Sequence, residues 1–230
     1  LDENSGIVFF GEGECLYPLI PHHLAIGHLY EMVGSEMGLG DFGSAGKLMG
    51  LSAYGLPHFF DEKFIGNYVD WYKRDIECYD WLKHLKRKGK LHGYEIKGWG
   101  DGKFATERFQ KDVAASTQKL FEETILTSVE LCHQIQKKLG LGISNLCLSG
   151  GCFLNCPANE RISTESAFSN VFVEPGCDDS GLAIGAALYA YHNICSNKPI
   201  RNNNDLGFNP YLGTSAKSSD ILSVLSGFIG

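Results

Sequence analysis

The chain has 230 residues, 43% of them hydrophobic and 20% charged, and a formal net charge of −7. That is enough chain to bury the core of one large α/β domain, or of one domain with an insertion. The acidic balance argues against a nucleic-acid partner, because phosphate contacts need clustered Lys and Arg, and no apolar run reaches the roughly 18 residues of a membrane span.

Residues 6–18 read as two short strands around the turn Gly11-Glu12-Gly13. Pro21 stands where a helix could begin, and His22 to Met37 has amphipathic helical spacing. Gly38, Gly40 and Gly43 interrupt that pattern, Ala45 to Leu51 forms a second short helix, and Ser52 to Pro57 is a turn. Residues 58–104 are the least regular and hold Trp71, Trp81 and Trp99. They read as an insertion of short helices, with or without a hairpin. Its aromatics are expected to form a satellite core in preference to covering an opening. Its basic run, Lys83 to Lys90, is expected to be a solvated loop or helix end. Thr106 to Leu139 is the longest helical pattern, with Thr106 as N-cap and Gly140 as stop. It is apolar on more than one face, which predicts burial.

A tighter alternation follows. Asn145 to Leu148 and Asn170 to Val173 read as strands, Phe153 to Thr164 and Ser180 to His192 as helices. Strand–helix–strand implies parallel pairing, with ligands beyond the carboxyl ends of the strands. After Asn193 the chain is loop-like until a last short helix, Ser218 to Leu225.

The eight cysteines, Cys15, Cys78, Cys132, Cys147, Cys152, Cys156, Cys177 and Cys195, come without an export signal, so a reduced, cytoplasmic protein is expected. Cys152 and Cys156 lack the second pair that would complete a zinc site, and they are expected to be small and buried. The start at Leu1 on a strand-like run predicts a piece of a longer chain.

Three segments could carry chemistry. Gly150-Gly151 at a strand end lets a backbone approach a ligand, and the following helix N-terminus offers free N–H groups; the plain alternative is a tight turn with a buried Asn155. Of Asp178 and Asp179, one suffices to cap the next helix, and the other suits a metal ion. Lys47 in Gly43 to Gly55 neutralises a phosphate or simply snorkels from a surface helix, since Leu48 breaks the phosphate-loop spacing. His22, His23 and His28 are poorly spaced for metal binding on one helical face.

Taken together, four blocks in order resemble the nodulation-type carbamoyltransferases, which include the O-carbamoyltransferases of aminoglycoside and cephalosporin pathways. The blocks are Pro21 to Tyr30, Gly46 to Gly55, Leu148 to Asn159 and Pro175 to Leu188, with a weaker fifth at Asn209 to Gly213. The resemblance implies an α/β fold, a ribonuclease-H-like lobe of an actin/hexokinase-like ATPase with a helical, aromatic insertion. It implies residues 1–213 as that domain and 214–230 as a tail or linker towards a further domain. It implies ATP and carbamoyl phosphate as substrates, a divalent metal or iron, and a small-molecule or saccharide acceptor. By the match, Gly150, Gly151 and Asn155 contact the nucleotide, Asp179 binds the metal with Asp178 as cap, and Lys47 and Gly55 lie near the carbamoyl-adenylate. No residue is assigned a catalytic role. The family's H-x-x-x-H metal motif and its second domain are not found here. The rest of the site is therefore expected from the remaining polypeptide or a partner subunit, with a homodimer one assembly allowed. A sugar kinase of the same fold and a nucleotide-binding lobe without catalysis are the rival readings; the first would need an Asp-Gly-Gly phosphate turn, which this segment does not show.

Overall fold

Gly6–Glu12 (β1) and Cys15–His22 (β2) form an antiparallel hairpin in a computed structural model that describes residues 6–13, 15–22, 24–66, 74–94, 107–195 and 213–228. Gly13, at φ 62°, supplies the left-handed residue of the turn. β2 continues through Pro21 to His22, where the sequence suggested a helix start, because Ile7 pairs with Pro21 and Gly6 with His22. A two-stranded ribbon is all edge, so a proline fits where its missing N–H would face away from the ladder. Helix α1 begins only at Ile26 and runs to Glu36.

Helix α2 (Ser44–Ser52) follows the glycine-rich turn, with Gly43 at φ 69° before it. Its first N–H groups are capped from α1: Ser44 and Ala45 donate to the two carboxylate oxygens of Glu31 at 3.0 and 2.9 Å. A 3₁₀ turn at Glu62–Phe64 leads into the region of α3 (Arg74–Leu91), a single long helix that carries the whole basic run. Trp81 and Phe59 are fully buried in the main core and Phe60, Phe64 and Tyr94 pack against it, so these aromatics extend that core and form no satellite, while Tyr79 is exposed. Trp71, Trp99 and Thr106 lie outside the described residues.

Helix α4 (Arg108–Lys138) is the axis of the first unit. Val113, Leu120, Phe121, Ile125 and Val129 bury its apolar side, as its two-faced pattern predicted. Its other buried positions are polar, and they serve the irregular segment that passes alongside. Leu56 N–H donates to Asp112 at 2.8 Å, Phe59 N–H to the Ser116 hydroxyl at 3.0 Å, and Gly66 N–H to the Thr124 hydroxyl at 3.3 Å. Acceptors at 112, 116 and 124 share one helix face, so α4 satisfies backbone groups that no strand or helix pairs. The helix stops at Gly140, φ 65°, as its sequence signals.

β3 (Asn145–Leu148) and β4 (Asn170–Val173) pair in parallel, in register from Asn145↔Asn170 to Leu148↔Val173. Between them run a 3₁₀ turn, Gly151–Leu154, and helix α5 (Cys156–Glu165). The predicted strand–helix–strand unit is present, with its helix starting three residues late because Asn155 caps it. The helix expected over Ser180 to His192 is divided into a 3₁₀ turn at Asp179–Gly181, α6 (Leu182–Tyr189), none of whose residues is buried, and a π-helical turn at Ala190–Ile194. The architecture is mixed α/β with two small sheets. Residues 1–188 form one unit, and 189–230, with α7 (Ser218–Ser226), form a second. Among the described residues no helix is long and apolar enough to cross a membrane.

Candidate functional site at the carboxyl edge of the parallel strands

The turns after β3 and β4 are tied to each other. Gly150 N–H donates to the Cys177 carbonyl at 2.6 Å, which brings Gly150-Gly151 beside the loop that holds Asp178 and Asp179. Gly150 needs to be glycine for its own backbone, at φ 116°. Gly151 does not: its φ is ordinary and an added Cβ would meet nothing within 4 Å. The neighbouring loop is closed by a third glycine, since a Cβ on Gly181 would lie 1.9 Å from the Gly176 carbonyl oxygen.

One of the two aspartates caps the following turn, as the sequence suggests, and it is Asp178. Asp178 accepts from both the hydroxyl and the N–H of Ser180, and these bonds hold its carboxyl below the usual carboxylate range. Asp179 is exposed, and its carboxylate has no hydrogen bond or ion pair among the described residues. Glu174, directly after β4, is a second carboxylate at this edge, and its buried Oε1 has no hydrogen-bond partner among the described residues.

Asn155 sits deeper than its neighbours, only 6% exposed. Its Oδ1 accepts from Ala158 N–H at 3.1 Å, capping α5, and from Gln118 Nε2 at 2.9 Å; its Nδ2 donates to Gln118 Oε1 at 3.0 Å. Gln118 also accepts from the Tyr30 hydroxyl and donates to Glu122 at 2.7 Å. Burial pushes the Tyr30 hydroxyl far above its usual range, so it remains a neutral donor. The amide of Asn155 is therefore engaged on both sides, and it fixes the start of α5 just behind the glycine turn. Asn159 adds a second tie, donating to the Phe153 carbonyl at 2.7 Å. Tyr30, Gln118 and Glu122 were not singled out from the sequence. The one available signal was a glutamine at a core-facing register of α4.

Lys47 and Gly55 form a second cluster. Lys47, exposed on α2, donates to the Leu39 carbonyl at 2.6 Å and so reaches across the glycine turn. The free N–H groups before it are already occupied by Glu31, so this helix start is not open to an anion. Gly55 lies against α4, where a Cβ would fall 1.9 Å from the Lys111 carbonyl oxygen. Lys111 and Gln118 are seven residues apart on α4, about 10 Å along its axis. Among the described residues no hydrogen bond or ion pair joins Lys47 or Gly55 to the Gly150–Asp179 turns.

No disulfide joins any of the described cysteines. Cys156 is exposed at the start of α5 and Cys152 only partly buried, against the expectation that both are buried; the 3₁₀ turn ahead of α5 carries Cys156 to the surface. His28 is exposed and His23 lies outside the described residues. Among the described residues, no three His, Cys, Asp or Glu side chains are grouped to hold a metal ion.

By class, this is an α/β protein with its candidate site at the carboxyl edge of a parallel strand pair. Residues 6–188 match the family model described as the carbamoyltransferase N-terminus, and the chain belongs to that family. It is 28% identical to nodulation protein NolO of Bradyrhizobium diazoefficiens, over 98% of this chain and 39% of that protein. It is 31% identical to an uncharacterized protein of Synechocystis sp., over 94% of this chain and 36% of that protein. With the 3'-hydroxymethylcephem-O-carbamoyltransferase of Streptomyces clavuligerus the identity is 32%, over 64% of this chain and 25% of that protein. The chain thus spans well under half the length of these relatives.

Proposed function

We propose that this chain is the nucleotide-facing part of an O-carbamoyltransferase. In this reading the full-length protein uses ATP, carbamoyl phosphate and water to form carbamoyl-adenylate, releasing inorganic phosphate and pyrophosphate. It then passes the carbamoyl group to the hydroxyl of a small-molecule or saccharide acceptor, with AMP as leaving group. The fold that goes with the reading is a ribonuclease-H-like lobe of an actin/hexokinase-like ATPase. Residues 1–213 form that lobe, 58–104 its insertion, and 214–230 the tail.

The observation that carries the reading is Gly151. Neither its backbone angle nor its neighbours require a glycine, yet it is exposed beside a strand end. A ligand lying against the backbone explains the missing side chain. Gly150 and Gly151 would receive the nucleotide, with Asn155 holding the turn in place from behind through Gln118. The free carboxylate of Asp179 suits one hard-oxygen position of a divalent metal or iron, and the ion's other ligands would come from the remaining polypeptide or a partner subunit. Such an ion, when bound, would offset charge on the phosphates. Lys47 and Gly55 would face the carbamoyl end.

ATP titration, with and without Mg²⁺, tests the assignment on the chain and on two variants. Gly151→Val is expected to weaken ATP at least tenfold with an unchanged thermal midpoint. Asp179→Ala is expected to abolish the Mg²⁺ dependence and leave metal-free binding intact. ATP affinity untouched by both substitutions would overturn the site.

A further inference from the structure

We propose that the basic face of α3, together with the turn at Glu62–Phe64, is a second ligand site that binds an oligophosphate group. A cavity of about 560 Å³ is lined by Lys63, Phe64, Asp80, Lys83, His84 and Arg87. None of these residues belongs to the Gly150–Asp179 turns or to the Lys47–Gly55 cluster. Asp80, Lys83, His84 and Arg87 recur at helical spacing and so share one face of α3.

The charges are unevenly matched. Lys63 pairs with Asp61 at 2.9 Å and Lys83 with Asp80 at 3.1 Å. Arg87 is exposed and has no ion pair or hydrogen bond among the described residues. Among the described residues three cations thus face two carboxylates, and the surplus charge is a guanidinium, whose fork suits phosphate oxygens.

The second observation is a buried ring. His84 is 4% exposed, stacked on Trp81 at 5.3 Å and tilted against Phe64 at 4.9 Å. Its Nε2 lies 2.8 Å from the Phe59 carbonyl oxygen. A carbonyl only accepts, so Nε2 carries the proton and the Nδ1 of the neutral ring is a bare acceptor. That Nδ1 is buried with no partner. Burial holds the His84 pKa below the ordinary value, the Phe59 carbonyl opposes this, and Lys63 and Lys88 lower it further while Asp61 raises it. Unsatisfied buried polar atoms are uncommon and costly. An anion in the cavity would stabilise the imidazolium, whose Nδ1–H is a donor, and would compensate Lys63, Lys83 and Arg87 together. A cavity of this size lies within the range of small-molecule sites and exceeds what one phosphate fills. A diphosphate or triphosphate group matches both its spread of cations and its volume.

Calorimetric titration of the whole chain with inorganic pyrophosphate, inorganic phosphate and metal-free ATP tests this. Pyrophosphate is expected to bind at least tenfold tighter than phosphate. Measured in Gly151→Val, where the site proposed above is weakened, ATP matching pyrophosphate would mark the phosphate group alone as the ligand, and tighter ATP binding would mark a nucleotide tail. Arg87→Glu is expected to weaken pyrophosphate at least tenfold with the thermal midpoint unchanged, since Arg87 is exposed and unpaired. Gly151→Val, which weakens the site proposed above, is expected to bind pyrophosphate as the parent does, which separates the two sites. In proton NMR the His84 ring signal should move to its imidazolium position at saturation. Pyrophosphate binding unchanged in Arg87→Glu, or lost in Gly151→Val, would overturn the proposal.

Discussion

The side chain of Asp112 has no exposed surface, yet it accepts three hydrogen bonds: from Leu56 N–H at 2.8 Å, from the Tyr94 hydroxyl at 2.7 Å and from Arg108 Nε at 3.1 Å. Burial alone would raise its pKa, but the three donors outweigh burial and hold the carboxyl below its usual range. A carboxyl with a depressed folded-state pKa stabilises the protein above its unfolded value. That stability is lost as the pH falls through the lower, folded-state value. Urea midpoints should therefore be flat near neutral pH and fall on acidification below about pH 4. Asp112→Ala should cost about 3 kcal/mol and flatten part of the acid limb. Glycines at this scale fall into two kinds. Gly55→Ala forces a methyl group onto the Lys111 carbonyl and should cost about 2 kcal/mol. Gly151→Ala has open space and should leave the thermal midpoint where it is.

Helix α5 owes its position to one joint. Asn155 caps it and pairs with Gln118 of α4, while Arg161 one turn on forks to Glu122, Glu123 and Glu165 at 3.1, 2.9 and 2.6 Å. Asn155→Ala removes a cap worth about 1 kcal/mol and leaves the Gln118 amide short of a partner at a similar further cost. It should therefore lower the urea midpoint even with no ligand present. Any loss of nucleotide binding in that variant has to be corrected for this destabilisation. The elements whose signals are local were legible: α2, the stop of α4 at Gly140, and the β3–α5–β4 alternation all follow from runs and breaks within a few residues. The start of α1 was not, because hairpin register decides whether Pro21 extends a strand or opens a helix. Nor was the role of Asn155, whose partner is 37 residues away. The glycine turn itself could be read, as could a cap from one of the two aspartates, since capping depends on adjacent residues. The distance between that turn and the Lys47 cluster is set by α4, and no motif encodes it.

At the scale of the molecule, the chain matches the N-terminal family model over residues 6–188 and spans about a third of the length of NolO and the Synechocystis relative. Within the first unit, α4 packs against α1, α2 and α5. It lends Asp112, Ser116 and Thr124 to the passing backbone, Thr117 to the Trp81 indole and Gln118 to Asn155. Residues 56, 59 and 66 have no strand partner of their own, so their amides are shielded only while that helix is intact. Their protection against deuterium should then rise and fall with that of the middle of α4, as one cooperative opening. Ser116→Ala should release the Phe59 amide to faster exchange, while Leu120, one turn further on, keeps its protection. Equal rates for Phe59 in the two proteins would show that the segment is held by something other than the helix beside it. The irregular stretch thus behaves kinetically as part of a helix it does not belong to.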